Sequence, residues 1–125
     1  MGASSATLHE SPDVLKPETI DRHRAIASLM EELEAVDWYD QRVHAAQDDE
    51  LRAILAHNRD EEKEHAAMVL EWLRRHDTHL DEQLRTYLFA DKSVLELETP
   101  GGASGGGAGA SDGSLGIGSL RAEVP

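Results

Sequence analysis

From Pro17 to about residue 97 the apolar side chains of this chain recur every three or four positions, and the recurrence is broken twice. That spacing marks amphipathic helices. The first predicted helix opens at Pro17, whose ring suits a first helical turn, with Glu18 and Asp21 near the positive end of the helix dipole. It continues to about Ala46. Gln47-Asp48-Asp49 reads as a short turn, with Asp48 or Asp49 as the cap of the next helix. The second helix extends from about Glu50 to His76, and Asp77-Thr78 ends it. A third, shorter helix spans roughly Leu80 to Leu97, with an interruption near Asp91.

Two of these helices carry an apolar stripe with a polar middle. On the first the stripe is Ala25, Leu29, Glu32, Val36, Tyr39 and Val43. On the second it is Leu51, Leu55, Asn58, Glu62, His65, Val69, Trp72 and His76. Heptad stripes of this kind line helix interfaces. A carboxylate in such a row costs several kcal/mol unless something offsets it. If the helices form an antiparallel hairpin, Glu32 and Glu62 come level, because each lies 15 residues from Gln47. At about 1.5 Å of rise per residue, equal distances from the turn mean equal heights.

The fold class expected is therefore all-α: an antiparallel two-helix hairpin plus a short third helix. Glu62-Lys63-Glu64-His65 is the one Glu-x-x-His in the sequence, and residues three apart share a helix face. Ferritin-like di-iron sites use a Glu from each of two helices and a Glu-x-x-His from each of two others. This chain encodes half of that set. Two copies would supply four carboxylates and two imidazoles and complete a four-helix bundle, which places the expected site at a dimer interface.

Composition narrows the chemistry. The 125 residues contain no cysteine, which excludes disulfides, thiolate ligands and thiol catalysis and leaves carboxylate and imidazole as the strong ligands. The formal net charge of −13 sets aside nucleic acid and anionic membranes as partners. No apolar run approaches the roughly 20 residues of a membrane helix, and no secretory leader is read at the start, so a cytoplasmic protein is expected. Met1 to Ser11 is small and polar and is expected to be disordered; residues 12–98 form the helical domain. Residues 99–114 are almost wholly Gly, Ala and Ser, the composition of a flexible tether. Residues 115–125 follow, where Leu115-Gly116-Ile117-Gly118-Ser119-Leu120-Arg121 restores large apolar side chains and reads as a short docking peptide.

Other groups admit two readings. Glu31, Glu34 and Trp38 share another face of the first helix and could guide cations or simply be solvated. His57, Glu61 and Glu64 share a face of the second helix and could hold a second cation; a salt-bridge row with Arg59 and Lys63 accounts for them equally well. Tyr39 could touch a metal's surroundings or make a core hydrogen bond. Trp38, Met68 and Trp72 read as packing residues, and His9, His23, His44, His76 and His79 receive no role. For Glu32, Glu62 and His65, three alternatives to an iron oxidase stand: a non-catalytic cation-binding module, a structural hairpin whose carboxylates are neutralised by arginine, and a di-zinc or di-manganese hydrolase.

The run Met30-Glu31-Glu32-Leu33-Glu34-Ala35-Val36-Asp37-Trp38-Tyr39-Asp40 resembles the first helix of encapsulated ferritins. Ile54-Leu55-Ala56-His57-Asn58-Arg59-Asp60-Glu61-Glu62-Lys63-Glu64-His65-Ala66-Ala67-Met68 resembles their second helix, and Leu115 to Arg121 resembles the peptide with which cargo proteins bind encapsulin shells. The resemblance covers about residues 10–98 and the tail. It implies a homodimer assembling into a decameric ring of five dimers, with a ferroxidase centre between two subunits. By that resemblance Glu32, Glu62 and His65 are the di-iron ligands, with Tyr39 nearby. Glu31 and Glu34 match the site where metal enters, with Trp38 beside it. His57, Glu61 and Glu64 match a further cation site between subunits; calcium is the candidate at both. The implied function is oxidation of ferrous iron by dioxygen, feeding iron storage inside an encapsulin nanocompartment.

Overall fold

The computed structural model describes residues 7–98. Among these residues every regular element is helical. A single 3-10 turn, Pro12–Val14, is capped by Ser11, whose hydroxyl accepts from the Asp13 amide. Four α-helices follow: α1 Pro17–Ala45, α2 Asp49–Arg75, α3 Thr78–Tyr87 and α4 Val94–Glu98. The readings of residues 99–114 as a tether and 115–125 as a docking peptide fall outside the described residues, as does the first half of the segment expected to be disordered.

Local chemistry sets each boundary. Pro17 occupies the first turn of α1, and the basic Arg42 and His44 sit at its negative end. Ala46 then turns extended. Asp48, not Asp49, caps α2: its carboxylate accepts from the Leu51 amide at 2.9 Å. Arg52 reaches back to the Ala46 carbonyl and ties the turn to the helix it starts. At the far end Asp77 accepts from the Leu80 amide at 2.9 Å and starts α3. The expected interruption of the third helix is a full break, residues 88–93, and separates α3 from α4. Phe89 lies there with φ 62°, a left-handed backbone that ends a helix and is unusual for a bulky residue.

The chain divides into two units after Asp81. The first contains the α1–α2 hairpin. As residue numbers rise on α1 their partners fall on α2: Glu32 meets His65, and Asp40 meets Arg59. This antiparallel register is what brings Glu32 and Glu62 level. The hairpin core is thin. Only Ala66 and Leu73, 7% and 4% exposed, are buried among the described residues. Both lie beside the predicted α2 stripe, so the contact with α1 is rotated towards one edge of that stripe. The other edge, with Leu51 and Ile54, stays open, as do Ile26, Met30 and Leu33 on α1. A helix in a bundle has two neighbours, and a lone hairpin supplies one.

Candidate metal centre

Glu32 projects from the middle of α1 and Glu62 and His65 from successive turns of α2. Their ligand atoms all lie within 4.8 Å of one another. His65 Nδ1 stands 3.3 Å from Glu62 Oε1 and 3.6 Å from Glu32 Oε1. The carboxylates are largely covered, with side chains 27% and 24% exposed, while the imidazole remains 46% exposed. Among the described residues this is the one group of three or more carboxylate and imidazole donors that converges. First-row metal–ligand bonds are about 2.1 Å long, so one cation could reach all three with small side-chain movements.

The electrostatics are those of a site short of positive charge. The Glu32 carboxyl is held above its ordinary 4.5, first by a hydrogen bond with Glu62, then by desolvation and by repulsion from Glu62. Glu62 is held below its ordinary value, first by that same hydrogen bond, against the opposing effect of desolvation. His65 is raised above 6.5, chiefly by its hydrogen bond to Glu62 against some desolvation. Glu32 and Glu62 crowd each other, and desolvation adds to the cost of charging Glu32. Hard oxygen donors with one imidazole suit iron and similar first-row ions.

The arginine-neutralised reading does not describe this site. Arg59, one turn before Glu62 on the same half-buried face, bonds instead to Asp40 at 2.9 Å and Asp60 at 3.0 Å. Lys63 also goes to Asp60, at 3.4 Å.

The remaining predicted residues are less concentrated. Glu31 and Glu34 lie exposed on another face of α1, and Trp38 with them is 49% exposed. The structure brings neither glutamate into a converging donor group among the described residues. His57 Nε2 pairs with Glu61 Oε2 at 3.2 Å, and Glu64 is exposed one turn further on. Tyr39 is half-buried, with the Arg42 guanidinium 5.4 Å from its ring centre.

Two arrangements have no precedent in the sequence reading. Asp40 and Arg59 are not level: they lie 7 and 12 residues from Gln47. The offset is roughly 7–8 Å of helix, which a long arginine leaning towards its own N-terminus spans. Trp72 and His76 stack with ring centres 3.9 Å apart, and His76 Nδ1 lies 2.8 Å from the Trp72 carbonyl. Their four-residue spacing on one helix face was the available signal.

Comparisons with known proteins show which family the chain falls in. The EncFtn-like family matches residues 7–91. An "Encapsulated ferritin-like protein" of Rhodospirillum rubrum is 63% identical over 132 aligned positions, covering 99% of this chain and 94% of that protein. A "Ferritin-like protein" of Thermotoga maritima is 53% identical over 111 positions, covering 87% and 93%. Among solved structures, protein ne0167 from Nitrosomonas europaea superposes with a TM-score of 0.67 at 63% identity, over 69% of this chain and 94% of that one. With the family match running over residues 7–91 and a relative 63% identical across almost its whole length, this chain belongs to the EncFtn-like family.

Proposed function

We propose that this protein is a ferroxidase, oxidising Fe(II) to Fe(III) with dioxygen at a di-iron site shared between two subunits. The observation that carries this reading is the group of Glu32, Glu62 and His65, convergent and, among the described residues, with no arginine or lysine paired to its carboxylates. Three protein ligands are too few to hold two irons. The thin core and the open apolar edges of α1 and α2 supply the reason for a second copy. A two-fold pairing gives each iron pair four carboxylates and two imidazoles, the ferritin-like complement. Ferrous iron is the substrate. Glu62 would bridge the pair, while Glu32 and His65 hold each ion terminally and stabilise the ferric product. The two irons together would give dioxygen two electrons, which with two protons from solvent leaves hydrogen peroxide and two Fe(III).

A relative 63% identical is described as encapsulated. On that basis we place this protein within an encapsulin compartment, docked through Leu115 to Arg121, with the ferric product mineralising in the lumen. The decameric ring, the cation-uptake role of Glu31 and Glu34 beside Trp38, and the further cation site of His57, Glu61 and Glu64 belong to the same proposal. So does calcium at those outer sites.

The test is to load the purified protein anaerobically with ferrous iron, admit dioxygen, and follow ferric absorbance with oxygen uptake. Oxidation well above the buffer rate is expected. Binding without acceleration would replace the enzyme by a cation-binding module. Recording the oligomer mass with and without iron shows whether the active species is the paired chain.

A further inference from the structure

We propose that Asp40 and Asp60 act as a guard on the metal site: they hold Arg59 away from Glu62 so that the carboxylates stay free for a cation. The inference rests on the metal-centre reading above. Arg59 is the nearest arginine to the site along α2, one turn from Glu62, and its side chain is only 22% exposed. From that position an arginine can reach a carboxylate three residues on. Such a pair would do without metal what the metal is needed for, cancelling the charge of Glu62.

The structure diverts it. Asp40, reaching across from α1, takes Nη1 at 2.9 Å, and Asp60 takes Nε at 3.0 Å. Asp60 also takes Lys63, the other basic residue beside Glu62, at 3.4 Å. The guanidinium is thereby fixed on the turn side of the site. Asp40 and Asp60 are thus positioning residues, acting on the site through Arg59.

Three full-length variants decide the matter, with anaerobic Co(II) titrated as the probe and read by calorimetry. A Glu32→Gln control identifies the heat that belongs to this site, and circular dichroism verifies helix content. Asp40→Asn removes the anchor on the opposite helix and leaves only the exposed tie to Asp60, so the guanidinium can fold onto Glu62, and cobalt affinity should fall about five- to tenfold, as expected for a partly covered ion pair that must be displaced. Arg59→Gln removes the competitor, so affinity should hold or rise. The double variant Asp40→Asn/Arg59→Gln should recover wild-type affinity within about threefold, well short of the single-variant loss. A mere clamp between helices predicts the opposite pattern: Arg59→Gln as damaging as Asp40→Asn, and no recovery in the double variant. That pattern, or an Asp40→Asn affinity equal to wild type, overturns the guard while leaving the metal site standing. A wild-type protein that gives no cobalt heat sensitive to Glu32→Gln takes both down together.

Discussion

Helix α2 carries two acidic clusters built from the same kinds of residue, and they are in opposite states. Near its end Glu71 accepts two parallel hydrogen bonds from Arg74, both at 2.8 Å, and a third from Arg75 at 2.6 Å. Arg74 also bonds to Asp81 at the start of α3. Those arginines, Arg74 first, pull the Glu71 carboxyl down to about 2. Near the middle, Glu62 has another carboxylate and an imidazole for company, and Glu32 opposite it is pushed up. The first cluster has its counterions within the chain and is finished as it stands. The second has, among the described residues, no arginine or lysine paired with its carboxylates, only the His65 imidazole, in a place where two helices press carboxylates together. Acidic residues alone therefore say little about metals; a charge left unbalanced at a covered position says much more.

Breaking the unbalanced cluster should have the largest effect. Glu32→Gln keeps the shape of the side chain and removes one charged ligand. Ferrous oxidation should drop by at least about a hundredfold, more than the loss usual for groups that only support a ligand. The metal-free protein should melt no lower than wild type, since the substitution relieves repulsion with Glu62. His65→Ala should produce the same loss of oxidation. Near-normal turnover in either variant would remove the site from its assigned role.

Much of this contrast could be read from the residue order. The equal spacing of Glu32 and Glu62 from Gln47 placed them level before any coordinates, because a straight antiparallel hairpin turns sequence distance into height. The helix starts followed from Pro17 and from capping aspartates. What could not be read was rotation about the helix axes. The α2 stripe is wide enough for two neighbours, and nothing in it says that the intrachain contact would centre on Ala66 and Leu73, leaving Leu51 and His65 towards the open side. Ion pairs made by long side chains were equally hidden. Arg59 ignores the equal-height rule, and Arg74 could have bonded to either side of its helix.

Acid should move the contribution of Glu71 and those of Glu32 and His65 in opposite directions, while Glu62, depressed like Glu71, moves with it. Glu71 is depressed from 4.5 to about 2, so its share of stability is complete above 4.5 and is lost as pH falls towards 2. Glu32 and His65 are raised. Their share in the metal-free protein is complete below 4.5 and below 6.5 respectively, and is lost as pH climbs through their raised values. Metal binding must displace those same protons, so affinity should increase with pH across that upper range. Melting curves of chelator-treated protein from pH 4.5 to 8, with and without anaerobic ferrous iron, should diverge as pH rises. A constant gap between the two curves would mean that no proton leaves the donor group on binding.

The smallest effect belongs to the finished cluster. Glu71→Gln leaves Arg74 with Asp81 and frees Arg75 to solvent, so the junction of α2 and α3 loosens without exposing a new core. Glu71 and Arg75 are 40% and 67% exposed, and ion pairs at such exposure contribute little. Melting should fall by no more than a few degrees, and ferrous oxidation should stay within about twofold of wild type. Glu71 and His65 are six residues apart on one helix. If Glu71→Gln nevertheless slowed oxidation as Glu32→Gln does, the two clusters would be a single electrostatic unit, and the separation between a finished and an unfinished cluster would not hold.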